Sequence, residues 1–429
     1  MTAGPRFERL DDWLDWQQRL HPATIELGLE RVARVLARTG WTPPLVPVIT
    51  VGGTNGKGSC VALLEAMLRA GGWRVGTFTS PHLVDYRERI RVDGRKVSAA
   101  SLVAAFERIA DALGPDSLTF FEFNTLAALL VFETAAPDAI VLEVGLGGRL
   151  DAVNIVAPAV AVVVSIGLDH MEWLGPDEES IGREKAGIFR AGRPAICGMP
   201  DPPRSIPAHA RAIGAQLLIR GTDFDGRPVG PGQWDYLVAG KVEHAALPLP
   251  ALPGPIQVAN AATALAALGR LSDRLPLTRA AICAGLQSVR LCGRFQRVDD
   301  PRGFEWVFDV AHNPAAAATL AANLRALPVP GRTFAVCGML GDKDVPGVVG
   351  ALRGAIDEWF AASSEGPRAI DASELERRAL DAGVALQAAG SIPAAMQRAA
   401  SLARPGDRIV VFGSFHTVGP ALASLGVPL

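Results

Sequence analysis

Short apolar runs rich in β-branched residues alternate along the chain with segments of helical periodicity. The runs at Val46–Val51, Val75–Thr79, Ala139–Val144 and Val160–Ser165 have the composition of strands that are buried on both faces. Two strands separated by a helix cannot form a tight hairpin, and they pair in parallel instead. We therefore predict an α/β protein whose mostly parallel sheet carries helices on both faces.

This alternation is interrupted once and then resumes. Gln216–Pro255 is rich in Gly and Pro, and its short alternating segments, such as Trp234–Val238, predict small antiparallel strands at the edge of the first domain. After Val289 the strand–helix alternation starts again. We predict two domains, residues 1–290 and a smaller α/β domain over residues 291–429. Further strands are predicted in the second domain at Trp306–Val310, Thr333–Cys337, Glu358–Ala361 and Arg408–Phe412.

The composition excludes several classes of protein. Hydrophobic residues make up 49% of the 429 residues, which is too many for an intrinsically disordered chain. The 42 basic and 44 acidic residues leave no basic excess, so no nucleic-acid partner is expected. No apolar run reaches the ~20 residues that span a bilayer, so no membrane partner is expected, and no signal peptide is predicted. Five scattered cysteines predict neither disulfides nor a zinc site, which is typical of a reducing cytoplasm.

The strongest local pattern is a strand that leads through a glycine-rich turn, Gly52–Gly56, into a helix. Backbone N–H groups of such a turn, together with the helix dipole, bind phosphate oxygens. Lys57 would add a positive charge near the β- and γ-phosphates, and the Ser59 hydroxyl is a candidate ligand for the nucleotide's Mg²⁺. The Walker A pattern is not fulfilled, because its first glycine would fall on Val51 and because Gly58 separates Lys57 from Ser59. The alternative interpretation is an ordinary glycine turn before a helix.

Three other predicted strands also end in polar side chains. Ser80 follows one strand, Glu143 comes at the end of another, and Asp169-His170 follows a third. The carboxyl ends of parallel strands share one edge of the sheet, where ligands bind. Oxygen ligands at this edge suit Mg²⁺, whereas an imidazole is an unusual ligand for this ion. His170 is therefore also compatible with a hydrogen-bonded loop histidine.

Two further segments allow both a functional and a structural interpretation. Lys185 lies on a predicted helix that begins near Ile181, where a solvated surface lysine is the ordinary expectation. Asp309 and His312 lie between a predicted strand and a predicted helix, and they would face a crevice between the domains. An Asp or Asn helix cap followed by Pro314 in the first turn explains the same residues equally well.

Together these segments resemble the folate branch of the Mur-ligase superfamily, over essentially the whole chain. Gly53–Ser59 is similar to that family's variant of the phosphate loop, including the glycine that breaks the Walker A pattern. The resemblance implies a P-loop-containing, mostly parallel sheet domain followed by a smaller Rossmann-like α/β domain. Other segments resemble family motifs in the same order: Thr79–Leu83, Glu143–Asp151, Asp169-His170, Glu184–Ile188, Asn260–Ala262, Gly293-Arg294 and Asp309–Pro314.

The resemblance also implies roles for the matching residues. Lys57, Lys185 and His312 would be catalytic, and Lys185 would be N6-carboxylated. The carbamate turns a cation into an anionic oxygen ligand, which suits a position beside a hard metal ion. Two Mg²⁺ ions and, in addition, a monovalent cation are implied. Nucleotide contacts are implied for Gly56, Lys57, Gly58, Ser59, Asn260, Arg294 and Asp309, and metal contacts for Ser59, Ser80, Glu143, His170 and Lys185.

A pterin-binding site is implied by more local similarity. The segment His21–Leu29 resembles a pterin-contacting loop of family members that accept dihydropteroate. Aromatic rings can stack on a flat pterin, and a carboxylate can pair with its amino-pyrimidine edge. The glutamate is expected in the second domain, near His312 and Ser414–His416. Substrate contacts are predicted for Thr24, Ile25, Glu26, Leu27, Thr119, Phe120, Phe121, Glu122, Leu150, Asp151 and Ala152.

The implied activity is that of an ATP-dependent carboxylate–amine ligase. An acyl phosphate of dihydropteroate or of a reduced folate would react with L-glutamate, in an enzyme expected to be a cytoplasmic monomer. A polyglutamate-adding enzyme without the dihydropteroate activity would share the same ATP residues. A cell-wall amino-acid ligase would need a domain for a uridine nucleotide, and the roughly 45 residues before the phosphate-loop strand leave little room for one. A switch protein that hydrolyses ATP without ligation is the alternative from another class, and glutamate-dependent release of ADP would distinguish the two.

Overall fold

The computed structural model describes residues 5–364, 366 and 368–427. These residues fall into two compact units. The first comprises the described residues up to Pro81, together with Arg87–Pro250 and Val258–Val289. The second comprises the described residues from Arg290 onward and two short segments, His82–Tyr86 and Ala251–Gln257.

The first unit contains a mixed, largely parallel sheet. Its strands are β1 (Val48–Gly52), β2 (Val75–Phe78), β3 (Ile90–Val92), β4 (Arg95–Lys96), β5 (Ala139–Glu143), β6 (Val160–Val163), β7 (Pro194–Cys197) and β8 (Gln216–Ile219). They lie in the order β4-β3-β2-β5-β1-β6-β7-β8, and only the pairs β2–β3 and β3–β4 are antiparallel. Every residue of β1 is buried, as is usual for a central strand covered on both faces. The predicted α/β class with a mostly parallel sheet is thereby confirmed.

Most of the helices of the first unit connect these strands. The sequence places strong start signals at several of them, and α5 begins with a capping box between Thr119 and Glu122. None of the helices among the described residues is long and apolar enough to cross a membrane. The helices are α1 (Leu10–Leu20), α2 (Glu30–Arg38), α3 (Lys57–Ala70), α4 (Ala99–Ala112), α5 (Phe120–Ala135), α6 (Met171–Leu174), α7 (Glu178–Ala186), α8 (Ser205–Ile213), α9 (Ile256–Gly269) and α10 (Arg279–Ser288). The first two residues of α9 are assigned to the second unit.

A separate antiparallel sheet occupies most of the Gly- and Pro-rich stretch. It consists of β9 (Phe224–Gly230), β10 (Gln233–Val238) and β11 (Lys241–Pro248), with β10 in the middle. The predicted small antiparallel strands are therefore present, but the prediction was wrong at the start of the stretch. Gln216–Ile219 pairs in parallel with β7 and forms the last strand of the large sheet, because tertiary pairing rather than local composition decides the direction of a short strand.

The second unit has its own six-stranded sheet. Its strands are β12 (Gln296–Asp299), β13 (Glu305–Asp309), β14 (Thr333–Cys337), β15 (Glu358–Ser363), β16 (Gln387–Ser391) and β17 (Arg408–Phe412). They lie in the order β12-β13-β17-β14-β15-β16, and only the edge pair β12–β13 is antiparallel. Two apolar clusters of buried residues enclose the sheet strands. The helices of this unit are α11 (Pro314–Ala326), α12 (Val345–Leu352), α13 (Ala372–Ala379), α14 (Ile392–Leu402) and α15 (Phe415–Ser424).

A buried ion pair joins two central strands of the second unit. Glu305 at the start of β13 lies opposite Arg408 at the start of β17. Arg408 Nε donates a hydrogen bond to Glu305 Oε1 over 2.5 Å, and the arginine is only 2% exposed. At the other end of β13, Asp309 lies opposite Phe412. The two strands are thus held in one register by an interaction between their first residues.

Candidate active site

Four neighbouring strands of the first unit bring polar residues to one edge of the sheet. These strands, β2, β5, β1 and β6, are adjacent and parallel. Ser80 follows β2, Glu143 is the last residue of β5, the phosphate loop follows β1, and Asp169-His170 follows β6. Because the carboxyl ends of parallel strands face the same way, the four predicted segments share this edge, which is where ligands bind in sheets of this kind.

The phosphate loop has a conformation that requires glycine. Gly56 has φ +83° and precedes the first residue of α3. A Cβ at this position would lie 2.9 Å from Val164 Cγ1 and 3.1 Å from Asn260 Oδ1, so a side chain would be both strained and crowded. The helix that follows buries Gly58 and Ser59 in its first turn. Asn260, predicted to contact the nucleotide, therefore lies directly against the phosphate loop.

The loop is held from the side by the segment that follows β6. The Thr54 N–H donates to the Ser165 carbonyl oxygen over 2.8 Å. The Asn55 N–H donates to Ser165 Oγ, and Ser165 Oγ donates to the Asn55 carbonyl oxygen, both over 2.9 Å. Ser165 was not among the predicted site residues, although it is the last residue of the predicted strand Val160–Ser165 and a polar residue at a strand end is the signal that singled out Glu143.

Lys57 and Lys185 converge on one backbone oxygen. Each side-chain ammonium lies 3.0 Å from the Gly53 carbonyl oxygen, and Lys57 also donates to the Thr54 carbonyl oxygen over 3.1 Å. Lys185 is only 5% exposed. Burial, and secondly the charge of Lys57, lowers the pKa of Lys185 to about 7. The interpretation of Lys185 as a solvated surface lysine was therefore wrong.

Close packing against the glycine-rich segment after β5 fixes the position of Lys185. A Cβ on Gly148 would lie 2.8 Å from the Glu184 carbonyl oxygen and 3.0 Å from Lys185 Cα. The Arg149 N–H donates to the same Glu184 carbonyl oxygen over 2.8 Å. The last turn of α7 can thus approach the sheet only because residue 148 has no side chain.

The predicted metal ligands Ser80 and Glu143 are in contact. The Ser80 N–H donates to Glu143 Oε2 over 3.2 Å, and Glu143 is 4% exposed. His170 has φ +52°, and its Nε2 lies 3.9 Å from Asp169 Oδ1. Among the described residues, no group of three or more His, Cys, Asp or Glu side chains forms a metal site. Ser59, Ser80 and the buried Glu143 carboxylate offer the oxygen donors that a hard cation prefers, so the chemistry of these three residues is compatible with the predicted site.

The three stretches predicted to bind the pterin are connected to one another. Arg31 bridges Glu26, in the irregular segment after α1, to Glu122 at the start of α5. Phe121 lies against the segment after β5, since a Cβ on Gly145 would be 2.6 Å from its ring. In that segment, Asp151 accepts hydrogen bonds from the backbone N–H groups of Gly145 and Leu146 over 2.9 and 2.8 Å.

Several of these residues also have a structural role that was not predicted. Thr119 and Glu122 form the capping box of α5, and Ala152 lies buried in a short 3₁₀ helix, Ala152–Ile155. Burial raises the pKa of Asp151 to about 6. The Arg89 guanidinium lies 5.5 Å from the centre of the Phe120 ring. Of the other predicted substrate contacts, Thr24 is exposed, whereas Ile25, Leu27 and Leu150 are half-buried.

In the second unit, Asp309 and the helix cap after it are separate features. Asp309 accepts hydrogen bonds from the N–H groups of Phe295 and Ala311 over 2.8 and 2.9 Å, and burial raises its pKa. Asn313, not Asp309, caps α11, and Pro314 is the first helical residue. The helix-cap interpretation is therefore right for Asn313 and Pro314, but it does not account for Asp309.

The other predicted residues described in the second unit include His312, Arg294 and Ser414, and each makes a contact within this unit. His312 Nδ1 lies 2.9 Å from the Val310 carbonyl oxygen. The Arg294 guanidinium lies 5.2 Å from the centre of the Phe415 ring. The charge of Arg294 offsets part of the rise in the Asp309 pKa that burial causes. Ser414 Oγ is 2.8 Å from Thr417 Oγ1 at the start of α15.

Comparison with known proteins shows which family this chain resembles. Residues 51–210 match the Mur ligase middle domain, and residues 293–415 match the glutamate ligase domain of Mur ligases. The dihydrofolate synthase/folylpolyglutamate synthase of Escherichia coli (strain K12) is 48% identical over 411 residues, which cover 95% of this chain and 94% of that relative.

Solved structures agree with this assignment. E. coli FolC in complex with DHPP and ADP superposes with a TM-score of 0.91 at 45% identity, covering 98% of this chain and 99% of that one. A bifunctional folylpolyglutamate synthase/dihydrofolate synthase with Mn, AMPPNP and L-glutamate bound gives a TM-score of 0.90 at 43% identity, covering 99% of this chain and 100% of that one. The predicted resemblance and the ligase activity that it implies are thereby confirmed. The chain belongs to the dihydrofolate synthase/folylpolyglutamate synthase family, the folate branch of the Mur ligases.

Proposed function

We propose that this chain joins L-glutamate to dihydropteroate, giving dihydrofolate, and adds further glutamates to reduced folates, using ATP. The observation that carries the proposal is the convergence of Lys57 and Lys185 on the Gly53 carbonyl oxygen. The cation of Lys57 beside a loop of backbone N–H groups forms a site for the charged phosphates of a nucleotide, and the buried Lys185 lies next to it. The E. coli relative, whose name carries both activities, and the ADP and AMPPNP in related structures support the same function.

In this proposal the chain supplies position and charge rather than a nucleophile. The γ-phosphoryl group of ATP passes to the substrate carboxylate, and the resulting acyl phosphate is attacked by the amino group of L-glutamate. Phosphate leaves as the amide forms. Gly56, Lys57, Gly58 and Ser59 would hold the phosphates, since such a transfer depends mainly on alignment and charge neutralisation. Asn260, Arg294 and Asp309 would contact the rest of the nucleotide.

Ser59, Ser80, Glu143, His170 and a carboxylated Lys185 would hold the two divalent ions. The ions would neutralise charge on the phosphoryl group as it is transferred. The contact between the Ser80 N–H and the buried Glu143 carboxylate supports this assignment, because it orients a strong oxygen donor at the strand end. A monovalent cation would complete the inorganic requirement.

The carboxylation of Lys185 is supported by its surroundings. The side chain is buried, and it shares its hydrogen-bond acceptor with the cation of Lys57. A carbamate would place a negative charge beside Lys57 and would keep one N–H to donate to the Gly53 carbonyl oxygen. The modification would thus replace repulsion between two cations by attraction.

The substrates would occupy sites in both domains. The pterin would contact Thr24–Leu27, Thr119–Glu122 and Leu150–Ala152, and the links through Arg31, Phe121 and Gly145 support their grouping. The glutamate would lie near His312 and Ser414–His416. We further propose that residues 1–290 form the ATP-binding domain and residues 291–429 the glutamate-ligase domain, in a monomeric cytoplasmic enzyme.

Release of ADP under four conditions tests the function. We expect ADP release with dihydropteroate and with tetrahydrofolate, in each case only when L-glutamate is present, and a product one glutamate heavier by mass spectrometry. Turnover with tetrahydrofolate alone would restrict the enzyme to polyglutamate addition. ADP release that is independent of glutamate would contradict the ligase mechanism and favour a nucleotide-driven switch.

The metal assignment predicts a shared effect of two substitutions. Glu143→Ala and His170→Ala should each raise the Mg²⁺ concentration needed for half-maximal ADP release, because each removes a ligand of the same site. Their free-energy effects should not add in the double variant. Glu172→Ala, at an exposed neighbour of His170, serves as the matched control. Strictly additive losses with an unchanged Mg²⁺ requirement would show that Glu143 and His170 act structurally.

A further inference from the structure

One arginine connects two of the stretches that the pterin proposal uses. Arg31, in the first turn of α2, donates through Nη1 to Glu26 Oε1 over 2.5 Å. Through Nη2 it donates to both carboxylate oxygens of Glu122, over 2.7 and 2.9 Å. A planar guanidinium suits such a double contact, since it presents several N–H groups in a fixed arrangement. The bridge joins residues that are 96 positions apart in the chain, counted from Glu26 to Glu122.

The two ends of this bridge differ in how firmly they are held. The Glu122 side chain is 4% exposed and also accepts the Thr119 N–H over 2.7 Å, within the capping box of α5. The Glu26 side chain is 52% exposed. Arg31, at 16% exposure, lies between them. Glu122 is therefore the firmly held end of the bridge, and Glu26 is the exposed end, whose position depends more on its contact with Arg31.

The segment that carries Glu26 is held by side-chain contacts. Residues 22–28, all of which are described, take part in no backbone–backbone hydrogen bond outside the helices and strands, and they form no helix or strand. His21 supplies a second contact, with Nε2 2.8 Å from Glu26 Oε2 and Nδ1 2.7 Å from Ser117 Oγ. Side chains rather than backbone pairing thus fix this segment, and Arg31 provides the charged contact among them.

We propose that Arg31 is a positioning residue for the pterin substrate: it holds Glu26, and with it the 24–27 segment, against the start of α5. The proposal rests on the proposed function, because it concerns the stretches assigned there to the pterin. A pocket that is ordered before the substrate arrives binds more tightly, since binding does not have to order the segment. Loss of Arg31 should therefore weaken binding of the pterin substrate and leave ATP and glutamate binding intact.

The test compares two variants on the same helix. Arg31→Gln removes the bridge, whereas Arg34→Gln removes an arginine that pairs with Asp116 and contacts neither Glu26 nor Glu122. We expect Arg31→Gln to raise KM for dihydropteroate at least about tenfold, with KM for ATP and for glutamate within twofold of the unmodified protein. Arg34→Gln should leave all three values unchanged. A rise of all three KM values together, or no rise in the value for dihydropteroate, would overturn the proposal.

A second variant keeps the test decisive if Arg31→Gln does not fold. Glu26→Gln removes the charge at the dependent end and leaves the contact between Arg31 and Glu122. If Arg31 acts through Glu26, this variant by itself should raise KM for dihydropteroate and leave KM for ATP and for glutamate unchanged, and an unchanged KM for dihydropteroate would contradict the bridge. If Arg31→Gln folds, combining it with Glu26→Gln should add little. Independent effects of the two changes would contradict the bridge. Absence of turnover with dihydropteroate in the unmodified protein would overturn the proposed function and this inference together, whereas failure of the inference alone appears only in the variants.

Discussion

Lys185→Ala is expected to abolish ligation while the protein remains folded. The side chain is buried beside the phosphate loop, where the proposed carbamate would supply ligand oxygens that alanine cannot replace. By comparison with the loss of one strong electrostatic contact in an active site, the rate should fall on the order of 10³-fold. The free energy of unfolding should change by only about 1–2 kcal/mol, because the substitution removes one hydrogen bond. Steady-state ADP release and thermal unfolding measure the two quantities.

Two further variants separate the carbamate from a simple cation. Lys185→Arg keeps a positive charge but cannot be carboxylated, so it should be as inactive as the alanine variant. Arg183→Ala, two residues away on the exposed side of α7, should remain active and controls for loss of a cation from this helix. Acetate is expected to restore part of the activity of the alanine variant, and ¹³C-labelled bicarbonate should give a carbamate signal only in the unmodified protein. Full activity of Lys185→Ala without added acid would contradict the role of Lys185.

The second large effect is expected for Lys57→Ala. This lysine lies over the phosphate loop, and its ammonium donates to the carbonyl oxygens of Gly53 and Thr54 rather than packing into a core. Its removal should lower the turnover rate at least ~10²-fold, since it takes away the charge that is proposed to bind the phosphates. Because its ammonium donates to backbone oxygens of the loop and the residue is only half-buried, the thermal unfolding temperature should change little. ADP release and nucleotide binding by calorimetry measure the effect.

The control for Lys57 lies on the same helix. Arg69→Ala removes a cation at the other end of α3, where the arginine is 42% exposed and pairs with Asp93. This variant should keep its turnover rate, so that a loss in Lys57→Ala can be assigned to the phosphate loop and not to the charge of the helix. Nearly normal turnover in a well-folded Lys57→Ala variant would remove the phosphate-loop assignment.

The central strands could be predicted from the sequence, whereas the edge strands could not. β1, β5 and β6 are continuous apolar runs because both of their faces are buried. β12 is a polar segment whose residues alternate between half-buried and exposed, and β4 has only two residues. Such short edge strands are defined by the strand they pair with, and this partner is not visible in the local sequence.

The residues of the site likewise fall into those that the local sequence could predict and those that it could not. The phosphate loop is a local structure, so its glycines and Lys57 identify it within a few residues. Lys185 could not be assigned from the residues around it, because α7 is polar and its last turn comes near the sheet only through contact with Gly148. The bridge through Arg31 was equally invisible, since it joins two carboxylates that are distant in the chain. Resemblance to the family supplied Lys185, and only the structure supplied Arg31.

The buried ion pair between Glu305 and Arg408 affects how accurately two strands align rather than the chemistry of the site. If β13 slipped by one residue against β17, its side chains would exchange faces, and Glu305 would no longer lie opposite Arg408. The buried Arg408 would then lose its carboxylate partner, which costs about 3–5 kcal/mol, so the slipped arrangement is strongly disfavoured. Asp309 is the last residue of the same strand. The ion pair at one end of β13 therefore disfavours misaligned forms of the sheet. The correct register in turn places the Asp309 carboxylate at the other end of the strand.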